Sequence, residues 1–218
     1  MPKSRLRNRQ LLPDDLDDFE TRLHNDSDRG AVLVAAALLD AQLEDLLRSR
    51  LRHHQDKLLG LDGPLATFAN RIRFARAMEL IEVAVESDLN IIRNIRNKFA
   101  HSFDQDLSFS DPEVAGWCSS LQTVGAYLTA FDQAKDRLHQ TFSLELIAAW
   151  RAIVEPPRIR YLTTTFFVAQ HLKEVAQSTG NCPSLIDEVT KLGLEFNIRI
   201  SASGSVAGSA VADKSTDA

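Results

Sequence analysis

The chain has 218 residues, 44% of them hydrophobic, and 25 Lys and Arg set against 30 Asp and Glu give a formal net charge of −5. There is enough apolar material for one domain of moderate size with its own core, and a mildly acidic balance argues against a chain built as a whole to hold nucleic acid. The longest apolar run, Ala31 to Leu39, falls short of the ~20 residues that span a bilayer, and acids follow the basic start where a signal peptide needs an apolar segment, so a soluble cytoplasmic protein is expected.

Residues 1–10 carry Lys3, Arg5, Arg7 and Arg9 with little apolar content and read as a flexible basic tail. From Pro13 the pattern turns helical, with acids suited to a first turn. Asp26 or Ser27 is placed to cap the next helix, in which Val32, Ala35, Leu39, Leu43 and Leu46 form one apolar stripe. Its alanines allow close packing, and it is the expected central core helix. "GLDGPL" at 60–65 breaks the chain. A further helix through "LATFANRIRFARAMELI" sets Ile72, Ala75 and Glu79 on one side, and Arg71, Arg73 and Arg76 read as its solvated face, with an RNA or phosphate surface as the alternative.

The next helix carries "IIRNIRNKFAHSF" at 91–103. At about 100° per residue, Val85, Leu89, Ile92, Ile95 and Phe99 share a buried stripe. Arg96 falls within it, and Asn94, Asn97 and His101 gather opposite. Ser110 or Asp111, with Pro112 next, restarts a helix. Helical patterns follow through "AGWCSSLQTVGAYLTAF", "SLELIAAWRAIV" and, after Pro156-Pro157, "RYLTTTFFVAQHLKEVAQ". "LIDEVTKLGLEFNIRI" reads as a helix with a short extended end. The Ser/Ala/Gly-rich residues 201–218 cannot bury enough surface to fold. Cys118 and Cys182 lack metal or redox spacing and read as buried thiols.

Two readings of Arg96 stay open. An arginine on an apolar face needs a partner, and Asp40 or Glu44 on the alanine-rich helix is the expected one. On this reading Arg96 is largely buried and fixes helix packing. Alternatively, Arg96 holds a phosphodiester while His101 moves a proton, with Asn97 orienting the site. On one regular helix that pair diverges, so joint chemistry needs the helix to end near Phe99 or a second subunit to supply half the site. Neither metal nor cofactor is called for: the adjacent histidines of "RHHQD" at 52–56 do not face one another on a helix, and no Gly-rich phosphate loop, H-E-x-x-H or nucleophile elbow is present.

"RNKFAH" (Arg96 to His101) resembles the R-N-x-x-x-H signature of the HEPN superfamily of helical bundles. The wider set "LLDAQLEDLLRSRL", "GLDGPLATFANRIRFARAMELI", "DLNIIRNIRNKFAH" and "LSFSDPEV", in that order over about residues 31–115, is similar to the MtlR/MltR (mannitol operon repressor-like) family. The resemblance implies an all-helical fold. It also implies one of two activities: a transcriptional regulator working through a protein partner, or a dimeric metal-independent RNase of toxin or defence type that uses Arg96 and His101. No basic recognition helix is visible, so tight duplex DNA binding is not expected. The expectation is therefore a single all-α bundle of about seven helices over 11–200 with flexible ends, acting as a non-enzymatic regulator through a macromolecular partner and pairing as a homodimer. RNA binding belongs to the RNase alternative.

Overall fold

A computed structural model describes residues 26–103, 106–129, 155–178 and 184–190. The expectations for the basic tail, the helix from Pro13, the segment 143–154, Cys182, the extended end after 190 and the tail 201–218 lie outside these residues. The described residues form α1 (Asp28–Arg50), α2 (Gln55–Leu59), α3 (Phe68–Ala77), α4 (Val83–His101), α5 (Pro112–Ser119), α6 (122–129), α7 (Pro157–Gln177) and α8 (185–190). No strand occurs among them, and the fold is an all-α bundle, as expected.

α1 is the axis of the bundle. The Ser27 hydroxyl caps it by accepting from the Gly30 N–H at 3.1 Å, and Asp28 sits in a first turn that favours negative charge. Val32, Ala35, Leu39, Leu43 and Leu46 are fully buried, each leucine contributing about 1.5–3 kcal/mol. The stripe packs against α7, α4 and α3. Behind α2 the chain reverses tightly: the Leu65 N–H donates to the Leu58 carbonyl at 2.9 Å. A Cβ on Gly63 would lie 2.3 Å from that same oxygen, so only glycine fits.

α3 starts at Thr67, whose hydroxyl accepts from the Asn70 N–H at 3.2 Å. It ends at Ala77, earlier than the periodicity suggests. Glu79 takes a left-handed conformation (φ 56°) that closes the helix, so it is exposed instead of lining up with Ile72 and Ala75. α4 buries Val85, Leu89, Ile92, Ile95 and Phe99 completely. Phe99, Phe109 and Tyr161 form an aromatic chain with ring centroids 5.8 and 5.3 Å apart. The Tyr161 hydroxyl donates to the Val32 carbonyl at 3.2 Å; burial, and then Cys118 nearby, push its pKa up. Burial likewise raises the Cys118 thiol to about 12, so it is an inert thiol.

The helices fasten one another's ends. Arg29 of α1 donates to the Phe99 and Ser102 carbonyls at the end of α4 (2.6 and 3.0 Å). Arg50 donates to the Val175 and Ser178 carbonyls at the end of α7. Arg160 of α7 reaches the Cys118 and Ser119 carbonyls of α5. Asp88 of α4 accepts from the Gln122 and Thr123 N–H groups and from the Thr123 hydroxyl at the start of α6. Glu82 accepts from the Ser184 hydroxyl and the Ile186 N–H at the start of α8. These contacts supply partners for the groups that every helix end leaves unpaired.

Candidate functional site

α4 is continuous from Val83 to His101, with Ser102 as its extended C-cap. It does not stop near Phe99. Arg96 and His101 therefore diverge by about 140° and rise ~7.5 Å along one axis. Both are exposed. The structure does not bring the two together within one chain.

The expectation that Arg96 is buried against Asp40 or Glu44 is overturned. Arg96 is exposed, and among the described residues its one hydrogen bond runs to the Asn97 side-chain oxygen at 3.0 Å. The cation on Asp40 and Glu44 is Arg71, where the sequence pattern predicts a solvated face. Arg71 is 7% exposed. It pairs with Asp40 at 2.6 Å and Glu44 at 3.0 Å and donates from Nε to the Leu65 carbonyl at 3.0 Å. Glu44 also binds Arg48, which reaches Asp56 at 3.0 Å. The physical reason lies in which helix faces α1. Arg71 sits one turn from buried Ala75 on the flank of α3 that meets the acids, whereas Arg96 stands at the edge of the α4 stripe, where the face opens to solvent.

That open edge is one wall of a groove of about 660 Å³ between α1, the start of α3 and α4. Arg93, Arg96 and Asn97 line it from α4, at positions i, i+3 and i+4 that share a helix flank. Leu33, Ala36, Ala37 and Asp40 line it from α1, and residues 66–69 close it at the capped start of α3. Neither Arg93 nor Arg96 has a carboxylate within salt-bridge distance among the described residues. Among the described residues Arg93 makes one weak contact, 3.4 Å to the Asn94 side-chain oxygen, and its buried Nε has no acceptor. Sequence reasoning missed Arg93 and the α1 and α3 walls. The repeated Arg-Asn pair was the available signal, since its spacing puts Arg93, Arg96 and Asn97 on one flank.

His53 and His54 are exposed, and no group of His, Cys, Asp or Glu among the described residues is arranged to hold a metal ion. His171 is buried with Nδ1 3.3 Å from Glu188, tying α7 to α8. No described helix is long and apolar enough to cross a membrane. Compared with protein-family models, curated proteins and solved structures, the chain matches none.

Proposed function

We propose that the chain is a non-enzymatic cytoplasmic regulator or interaction module of the mannitol-operon-repressor type, acting through a macromolecular partner without reading DNA itself. The observation that carries this reading is the unbroken α4. It turns the Arg96 guanidinium and the His101 imidazole to different sides of one helix, so these two do not form a reacting pair within one chain, while Arg96 lines a groove. The test is His101→Ala, which leaves the groove intact. In a strain lacking the gene, the H101A chain should restore the transcript profile of the wild type. Tagged chain from the same cells should carry one protein at a fixed stoichiometry. An H101A chain that folds but fails to complement would overturn the reading.

One observation favours a second reading. Arg96 is exposed and has no carboxylate partner among the described residues, so its guanidinium is available to a phosphodiester. Catalysis then needs a second copy, paired along α4, to bring its His101 toward Arg96. On that reading purified protein cleaves RNA, R96A and H101A are each inactive, and mixing the two variants regenerates one intact composite site per mixed dimer. Silence of the mixture removes this alternative.

A further inference from the structure

We propose that the groove between α1, α3 and α4 is a binding site for a small organic phosphate monoester, anchored by Arg93 and Arg96. The inference stands apart from the identity of any macromolecular partner. A volume of about 660 Å³ falls within the roughly 300–1,000 Å³ of small-molecule sites. The lining divides as such sites do. Leu33, Ala36 and Phe68 give apolar wall, while Arg93, Arg96 and Asn97 converge from one helix.

Charge decides the class of ligand. Among the described residues Asp40 is the one carboxylate lining the groove, and it is already paired with Arg71 at 2.6 Å. Arg93 and Arg96 have no such partner among the described residues, which leaves two uncompensated guanidinium groups one turn apart. A phosphate monoester carries about −1.5 to −2 at pH 7 and matches them both; a carboxylate supplies only one negative charge. An independent observation points the same way. The Arg93 Nε is buried with no acceptor, whereas buried donors in folded proteins are nearly always paired. Among the described residues the Arg93 guanidinium is held by a single 3.4 Å bond to Asn94, and with Nε and a terminal nitrogen turned into the groove it would offer the fork that grips an oxyanion with two parallel bonds. The apolar wall then accepts the organic body of the ligand, which inorganic phosphate lacks.

The experiment is calorimetric titration of the full chain with glycerol 3-phosphate, 5′-AMP and inorganic phosphate, with glycerol and adenosine as dephosphorylated controls. At least one organic phosphate should bind saturably with Kd of about 1 mM or tighter, about tenfold or more ahead of inorganic phosphate, and the controls should not bind. Arg93→Gln and Arg96→Gln should each weaken binding about tenfold or more, whereas Arg73→Gln, on an exposed position of α3 outside the groove, should leave it unchanged. The nitrogen resonance of the Arg93 Nε in the unaltered chain should move on titration, which reads the site without any substitution. Any one of three results overturns the proposal: no saturable binding of either organic phosphate, no preference over inorganic phosphate, or binding that survives in both R93Q and R96Q.

Discussion

Removing Arg71 takes two donated hydrogen bonds, to Asp40 and the Leu65 carbonyl, and the ion pair with Glu44 from the junction of α1 and α3 at once. Deleting one member of a fully buried ion pair costs about 3–5 kcal/mol. Asp40, at 34% side-chain exposure, is partly hydrated, so Arg71→Met should cost less, about 2–3 kcal/mol. Arg96→Ala should stay within about 0.5 kcal/mol of the parent, as surface changes do. Urea unfolding of both variants checks this, and equal losses would contradict it. Helical periodicity puts Arg96 within the apolar stripe of α4 and Arg71 on a solvated face of α3, and the structure reverses both. The same periodicity identifies Asp40 and Glu44 as acids in need of a cation, but choosing between Arg71 and Arg96 requires knowing how α3 and α4 rotate against α1. That rotation is set by packing of the whole bundle, which no single helix encodes.

Asp88 shows how one helix defines another. Its carboxylate, fully enclosed on α4, holds the first N–H groups of α6. Asp88→Asn leaves one acceptor oxygen where two are used and turns an amide N–H₂ toward donors, so it should cost about 1–3 kcal/mol in chemical denaturation. Burial pushes this carboxyl above its ordinary value, outweighing the bonds from Thr123 and Gln122 and the Arg160 charge. The folded state therefore takes up the proton before the unfolded chain does. The associated stability is present below the ordinary carboxylate pKa and is lost as pH rises through the raised one. The gap in stability between the parent and D88N should widen on acidification, and a gap independent of pH would rule this out. The cap also explains a boundary that the sequence concealed. "AGWCSSLQTVGAYLTAF" reads as one helical run, yet the chain breaks at residues 120–121 into α5 and α6. The residue that starts α6 lies 34 positions upstream of Gln122. By contrast, the starts of α1 and α5 were legible, because Ser27 and Asp111 cap their own helices.

For the molecule as a whole, the net charge of −5 and the lack of a basic recognition helix among the described residues predict no tight hold on duplex DNA. Fluorescence anisotropy near physiological salt should show no sequence-specific binding at nanomolar concentrations, the range of dedicated readers. Sedimentation equilibrium should show a dimer if α4 pairs with its copy, and a strict monomer at tens of micromolar would remove the composite Arg96–His101 site altogether. The side chains that fasten neighbouring helix ends carry a last consequence. An ordinary helix frays from its tips, so terminal amides exchange with solvent long before the core opens. Here the last turn of α4 can loosen only when Arg29 lets go of Phe99 and Ser102. Fraying is thereby converted into a shared motion of two helices. Hydrogen exchange should record this as slow exchange at the tip of α4, lost in Arg29→Ala at Ser102 and its neighbours while the middle of α4 stays protected.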